Sequence, residues 1–449
     1  MPLRERALWA LAIVLSMALL LAPAIWNGFP LLEYDTGGYL ARWYEHTLVV
    51  SRAVVYGLIL NAGAPLAFWP VLVAQAALTV WLMALVLRVH ALGRRPLLLL
   101  GIVAVLTVFT TLPWLTSILL TDIFAGLGVL ALYLLLLRAD ALSGRERLGL
   151  LALIAVSAAT HSATFAVLLG LLIVAALYRL VERKRLPLVR LGHGLIALAF
   201  GAAMVFAADY AVAGRLAWTP GGFSLSFGRM LQDGIVKKYL DVHCPDPRLQ
   251  LCAYKDQLPD NADVWFWDSK LFNQLGRFEG LGPEMEAIAL GALLDYPGLQ
   301  LKAAARDTAL QLIDVRTGEG VLNSIWHTYG IIERFTPQLL PAMRAARQQK
   351  GEISFTALNR LHYPVALVSM MLLLLVIVLP VLRLKFSATI GELGAVCAVA
   401  LLGNAFVCGA LANPHDRYGA RMVWLAALTV MVASARLAQD RLGRPRKVA

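Results

Sequence analysis

The chain has 449 residues, of which 59% are hydrophobic and only 15% are charged. Soluble domains contain roughly 45–50% apolar and about 25% charged residues, so this composition excludes an ordinary soluble protein. The formal net charge of +12 does not indicate a nucleic-acid partner, because the basic residues lie in short clusters between apolar runs, as the positive-inside rule describes. We therefore expect an all-α polytopic membrane protein.

Apolar runs of about 18 or more residues predict transmembrane helices. The first run is too long, and too poor in an A-x-A cleavage site, to be a convincing signal peptide, so we expect it to be retained as a span. The run at 148–178 lies between two basic clusters, and we interpret it as two short spans that meet near Thr160 and His161. Ten spans then place both termini and every basic cluster in the cytoplasm. Eight of them are predicted at about 7–27, 66–88, 96–114, 120–138, 191–211, 363–382, 389–411 and 420–436, and the other two lie within 148–178.

This topology predicts three parts. An N-terminal transmembrane module covers 1–211, with its first outer loop at 28–65. A mostly helical extracytoplasmic cap covers 212–361, and a C-terminal transmembrane module covers 362–449. Apolar residues recur at helical spacing in MEAIALGALLDYPGLQLKAAARDTALQLI, which favours helices in the cap. The cap is also too long for a simple connector.

Four aromatic side chains of the cap, Trp265, Trp267, Trp326 and Tyr329, could stack on sugar rings. Core packing or anchoring at lipid headgroups is the alternative for each of them.

The cysteines divide into two pairs. Cys244 and Cys252 bracket the sequence CPDPRLQLC in the outer region. Disulfides persist outside the cytoplasm, so we predict a bridge between them, with two free thiols as the alternative. Cys397 and Cys408 lie in a predicted span and are interpreted as packing residues. A basic, Leu/Ala/Arg-rich chain with an outer disulfide fits a bacterial inner membrane.

The first outer loop carries the sequence PLLEYDTGGYLARWYEHTLVVSRAVVYG at 30–57. Apolar residues after Asp35 recur at helical spacing, which predicts a short amphipathic helix at the outer membrane interface. Asp35 lies where this helix starts, so its carboxylate could cap free backbone N–H groups. The functional alternative is a catalytic carboxylate held at the membrane surface.

Other polar residues are predicted on the same outer side. Asp122 opens the fourth span, where a helix dipole would also stabilise it. Arg52 and Arg417 suit a phosphate, because the planar guanidinium donates hydrogen bonds in pairs; snorkelling to lipid headgroups is the alternative. His161 lies at the turn between the fifth and sixth spans, where a structural hydrogen-bonding role is the alternative.

These features resemble the GT-C superfamily of membrane glycosyltransferases, which includes protein O-mannosyltransferases and lipid A aminoarabinose transferases. The resemblance covers about the first 180 and the last 40 residues. It rests on the spacing of Asp35 and Tyr39, on SRAVVYG after them, on Asp122 in TDIFAGL, on the turn ATHSATF and on DRY at 416–418.

The resemblance implies inverting transfer of a sugar from a polyprenyl-phosphate donor to an extracytoplasmic glycan, lipid or protein. Asp35 would be the general base, and Asp122 would orient the acceptor or sugar. Arg52 and Arg417, with His161 and Tyr39, would bind the donor and its lipid phosphate.

The resemblance leaves the need for a metal open. Some relatives bind a divalent cation, Mg²⁺ or Mn²⁺, through such acids, which here would be Asp35 and Asp122. The competing interpretations of the chain are a transporter or flippase and a non-catalytic scaffold. The few charges within the spans and the lack of two matching halves argue against transport.

Overall fold

The computed structural model describes residues 2–183, 185–381 and 387–442. This described part is all helical, and its β-structure is limited to two isolated bridges. The predicted all-α fold class is therefore confirmed. The predicted cytoplasmic basic residues at 184 and 382–386 and the end of the basic tail at 443–449 lie outside the described residues.

The N-terminal half of the described chain is a bundle of long apolar helices connected by short ones. In chain order they are α1 (Leu3–Leu20), α2 (Ala22–Asn27), α3 (Tyr34–Glu45), α4 (Val54–Gly63), α5 (Trp69–Val89), α6 (Pro96–Phe109), α7 (Leu112–Ser117), α8 (Ile123–Leu137), α9 (Gly144–Thr160), α10 (Ser162–Val181) and α11 (Leu188–Ala213). The break between α9 and α10 confirms the predicted helix boundary near Thr160 and His161.

Helix α8 forms the centre of this bundle. Residues 123–136 are all buried, as expected for a helix that is apolar on every side. It packs against α5, α9, α10, α20 (Ala388–Ala405) and α21 (Asp416–Leu442). Asp122, immediately before α8, is therefore enclosed by helices from both ends of the chain.

The region 212–361, which was predicted to lie outside the membrane, is mostly helical and has two parts. Its helices are α12 (Phe223–Gln232), α13 (Ile235–His243), α14 (Lys270–Gln274), α15 (Arg277–Asp295), α16 (Pro297–Ile313), α17 (Trp326–Phe335) and α18 (Leu340–Ala345). Residues 223–303 have a hydrophobic core of their own, and α17 instead packs on α3. The predicted disulfide between Cys244 and Cys252 is present in the first part.

Three further helices complete the described chain: α19 (Thr356–Val381), α20 and α21. A π-helical segment, Phe406–Ala410, continues α20. Cys397 and Cys408 are both buried free thiols, and the sulfur of Cys408 also accepts a hydrogen bond from Arg421 at 3.3 Å. Helices overlap all ten predicted spans. Within the described ranges, six helices are long and apolar enough to cross a membrane: α5, α10, α11, α19, α20 with its extension, and α21.

Candidate functional site

The start of α3 sets the position of Asp35. Glu33 is the N-terminal cap: its carboxylate accepts a hydrogen bond from the backbone N–H of Asp35 at 2.7 Å. In return, Thr36 Oγ1 accepts one from the N–H of Glu33 at 3.0 Å. Interpreting Asp35 as the helix cap was therefore wrong, because Glu33 already satisfies these backbone donors. The carboxylate of Asp35 lies in the first turn and pairs with arginines instead.

Arg417, in the first turn of α21, connects three acids. Its Nη1 donates to Asp35 Oδ2 at 2.8 Å and to Glu33 Oε1 at 3.1 Å. Its Nε donates to Asp122 Oδ2 at 2.8 Å. Arg52 forms a second ion pair with the other oxygen of Asp35. Both carboxylate oxygens of Asp35 therefore face a guanidinium group.

Arg421 contacts this cluster next to Asp122 and His161. It is fully buried, and its Nη1 lies 3.8 Å from Asp122 Oδ1 and 3.4 Å from His161 Nδ1. Its Nε and Nη2 both donate to Asn404 Oδ1, at 3.1 and 2.6 Å. A buried charge is tolerated when it is paired and hydrogen-bonded in this way.

The pKa values of the two acids at the start of α3, Glu33 and Asp35, are shifted in opposite directions. Burial raises the pKa of Glu33 to about 8, although Arg417 opposes this effect. Burial also favours the neutral form of Asp35, but Arg52 and Arg417 outweigh it and lower the pKa of Asp35 to about 2. Two neighbouring acids thus favour different protonation states, which is typical of functional sites.

The cluster opens into a cavity of about 360 Å³. Asp35, Arg52, His161 and Arg417 line it together, and they come from four separate segments of the chain. Much of the remaining wall is apolar, with residues that include Ala158, Ala159, Ala163, Ala166, Val205, Leu225, Val407 and Leu411. The cavity is therefore amphipathic, with cations and a carboxylate beside aliphatic walls.

The other two predicted donor or catalytic residues lie close to this cavity without lining it. Tyr39 is fully buried, and its ring centre is 5.8 Å from the guanidinium carbon of Arg52. Asp122 is fully buried beside Arg417. The fold thus brings together all six residues selected from the sequence for catalysis and donor binding, and their chemical roles remain predictions.

The four cap aromatics are placed elsewhere. Trp265 is fully buried in the hydrophobic core of residues 223–303, so the sugar-stacking prediction for it is wrong and the packing alternative holds. Tyr329 is also buried, and its hydroxyl donates to the carbonyl of Leu322 at 3.2 Å. Trp267 and Trp326 are exposed. The described residues that line the cavity include none of the four.

Sequence reasoning missed several residues of this site, among them Glu33, Arg421, Asp209 and Trp218. Glu33 joins the charge cluster, and Asp209 and Trp218 line the cavity. Asp209 had a usable signal, because it is the only acid in the 26-residue apolar helix α11. Glu33 stands two positions before Asp35, but no spacing rule shows which of these two acids is the N-terminal cap of α3 and which is the catalytic candidate.

The proposed metal pair, Asp35 and Asp122, is a poor fit for a divalent cation. The guanidinium of Arg417 lies between the two carboxylates and donates to both. A cation would have to displace this positive group to reach both acids. Among the described residues, no group of three or more His, Cys, Asp or Glu side chains is arranged to hold a metal ion.

The fold and this site define a helical protein with several helices suited to crossing a membrane and a charged, partly apolar cavity. No protein-family model, curated protein or solved structure matches the chain.

Proposed function

We propose that the protein is an integral membrane glycosyltransferase. It transfers a sugar, with inversion, from a polyprenyl-phosphate donor to an extracytoplasmic glycan, lipid or protein. The observation that carries this proposal is the cavity in which Asp35, Arg52 and Arg417 meet beside aliphatic walls. An isoprenoid phosphate has the matching chemistry, since it joins an anionic group to an apolar chain.

The proposed topology places this cavity on the outer side of the membrane. Ten spans with both termini in the cytoplasm put the start of α3, the turn at His161 and the start of α21 on one side. These segments carry the charged cluster. The proposed location is the bacterial inner membrane.

The two cavity arginines are suited to the donor phosphate. Each guanidinium can donate paired hydrogen bonds to phosphate oxygens. In the structure, both are held by Asp35. A bound phosphate would compete with Asp35 for Arg52 and Arg417, and their departure would raise the pKa of Asp35 from about 2. Donor binding would thereby convert Asp35 into an effective base.

In the transfer step, Asp35 takes the proton of an acceptor hydroxyl or amine. The acceptor atom forms a bond to the anomeric carbon while the bond from that carbon to the phosphate oxygen breaks. Polyprenyl phosphate leaves with an additional negative charge, which Arg52 and Arg417 stabilise.

Asp122 has a supporting role in this proposal. It is buried beside Arg417 and Arg421 and does not line the cavity. We therefore assign Asp122 to positioning Arg417 rather than to contacting the acceptor or the sugar.

A transporter or flippase remains the second candidate function, because one observation favours it. Asp209 is a buried acid in the long apolar helix α11 and has no hydrogen-bond or ion-pair partner in the described part of the chain. Such residues frequently mark transport pathways. Movement of a polyprenyl-linked lipid across liposomes without sugar release would support this function.

The test compares purified wild type with Asp35→Asn, using polyprenyl-phosphate sugars and a mixture of candidate acceptors. The variant should bind the donor at least as tightly, because it lacks the carboxylate that competes for the arginines. Its release of polyprenyl phosphate should fall by about 10²–10⁴-fold. Asp295→Asn, an exposed acid of the cap, is the matched control and should retain turnover. Failure of the wild type to bind any such lipid would refute the proposal.

A further inference from the structure

Asp209 is the strongest unexplained feature of the cavity. It lies near the end of α11 and is only 4% exposed. Val205 and Val212, on the same buried face of the helix, pack in a hydrophobic cluster. Asp209 lines the cavity that holds Asp35, yet no described side chain or backbone group pairs with it.

The fold gains nothing from a carboxylate at this position. An unpaired acid in an apolar environment costs free energy, because it loses water without gaining a partner. Asp209 does not cap a helix, since α11 continues to Ala213 and ends at Gly214. A ligand in the cavity is the partner that would justify its presence.

Trp218 lines the same cavity and is firmly held. Its indole N–H donates to Ser162 Oγ at 2.9 Å. Phe165 and Phe206 pack edge-on against it, with ring centres at 4.8 and 6.0 Å. An aromatic ring fixed in this way offers a rigid apolar surface at little entropic cost.

We propose that Asp209 and Trp218 form the subsite for the sugar ring of the donor. The carboxylate accepts hydrogen bonds from ring hydroxyls or from an amino group, and the indole packs against the C–H face of the ring. This inference rests on the proposed function. The cavity volume of about 360 Å³ lies within the range of about 300–1,000 Å³ usual for small-molecule sites.

The proposal separates two parts of one ligand. Arg52 and Arg417 bind the phosphate, whereas Asp209 and Trp218 bind the sugar. A change at Asp209 should therefore weaken binding of the glycosylated lipid more than binding of polyprenyl phosphate.

The experiment measures the dissociation constants of two probes for the full-length protein in detergent. One probe is polyprenyl phosphate, and the other is the same lipid phosphate carrying a hexose, a pentose or an amino sugar. Asp209→Asn and Asp209→Leu are compared with wild type. Asp209→Leu should weaken binding of at least one glycosylated lipid by tenfold or more and that of polyprenyl phosphate by less than twofold.

Asp209→Asn distinguishes a neutral sugar from a cationic amino sugar. Its amide oxygen still accepts a hydrogen bond, so a neutral sugar should lose less affinity than with leucine. Binding of a cationic amino sugar should weaken about equally in Asp209→Asn and Asp209→Leu, because both variants remove the charge. Thermal unfolding provides a structural check: neither variant should lower the midpoint, because Asp209 has no partner in the described protein to lose.

Each remaining outcome would overturn the inference. Equal weakening of both probes, or a lowered unfolding midpoint with unchanged selectivity, would give Asp209 a structural role. Unchanged binding of every glycosylated lipid would remove Asp209 from the sugar site and leave the proposed function intact. Failure of the wild type to bind either probe would instead refute the proposed function itself.

Discussion

Arg417 donates a hydrogen bond from Nε to Oδ2 of Asp122 at 2.8 Å, although 295 positions separate them in the sequence. Asp122 is fully buried. The same guanidinium also contacts Asp35 and Glu33. The starts of α3, α8 and α21 are therefore held together by one side chain, and this side chain also faces the cavity.

Replacing Arg417 with methionine should destabilise the protein strongly. The change leaves the buried carboxylate of Asp122 without its closest partner, and breaking such a pair typically costs about 3–5 kcal/mol. Chemical or thermal unfolding in detergent measures the loss. Arg316→Met is the matched control, since Arg316 is 49% exposed and lies 3.6 Å from Asp416. It should cost less than about 1 kcal/mol. Similar losses in both variants would contradict a structural role for the Arg417 contacts.

Glu33 should make the stability of the protein depend on pH between about 4.5 and 8. Its pKa is raised to about 8 by burial, against an ordinary value of 4.5. Between these values only the folded state holds the proton, so the free energy of unfolding falls as pH rises. The limiting slope for one such group is about 1.4 kcal/mol per pH unit. Asp35 acts at lower pH: its stabilisation is lost as pH falls from 3.8 towards 2.

Unfolding midpoints of wild type and Glu33→Gln between pH 5 and 8.5 test this prediction. The wild-type midpoint should fall across the range, and the variant should lack most of that slope because glutamine does not titrate. Glu352→Gln removes an exposed acid and should keep the wild-type slope. The prediction fails if Glu33→Gln shows the same pH dependence as the wild type.

The helices could be predicted from the sequence, because long apolar runs and the basic clusters between them are local signals. The turn at His161 was found in this way. Contacts between distant segments leave no such signal. Arg417 meets Asp35 across 382 positions, and only their predicted position on one side of the membrane and a resemblance to other proteins suggested a shared site.

The predictions that were wrong or incomplete also have physical causes. Asp35 and Glu33 are both acids near the start of α3, and composition does not indicate which of them caps the helix. Trp265 and Trp218 are likewise equivalent in sequence, whereas packing buries the first in the cap and places the second at the cavity. Asp209 was overlooked because the spans were judged by their overall lack of charge.

His415 should couple the cap to the start of α21. Its Nδ1 lies 2.7 Å from Glu319 Oε1, and its Nε2 lies 3.5 Å from Asp263 Oδ2. Burial favours neutral His415, but the hydrogen bonds and charges of Asp263 and Glu319 dominate and raise its pKa to about 10. The stabilisation is therefore complete below pH 6.5, the ordinary value, and is lost as pH rises towards 10.

Hydrogen exchange of α12, α13 and α15 measures this coupling. His415→Gln should lower the protection factors there at pH 7, and it should remove the further loss of protection that the wild type shows between pH 7 and pH 10. His243→Gln is the matched control: His243 contacts Asp295 within the same region, at 3.3 Å on its surface. Faster exchange in the control alone would show that His415 does not hold the cap.

Gly419 should be required for the position of Arg417, which lies two residues earlier in α21. A Cβ atom at Gly419 would overlap the backbone carbonyl oxygen of Asp314 and lie 2.8 Å from Val315 Cγ1. A carbonyl oxygen cannot rotate away as a side chain can, so Gly419→Ala must displace α21 from residues 314–315. Overpacking of this kind typically costs about 1–3 kcal/mol.

The comparison variant is Gly403→Ala in α20, where an added Cβ meets no heavy atom of the described structure within 4 Å. Alanine favours helix over glycine by up to about 1 kcal/mol, so this variant should be neutral or more stable. Gly419→Ala should lower both the unfolding midpoint and the affinity for polyprenyl phosphate, because the displaced Arg417 no longer faces the cavity correctly. If Gly419→Ala loses stability but binds the lipid normally, the start of α21 contributes to folding and Arg417 does not bind the phosphate.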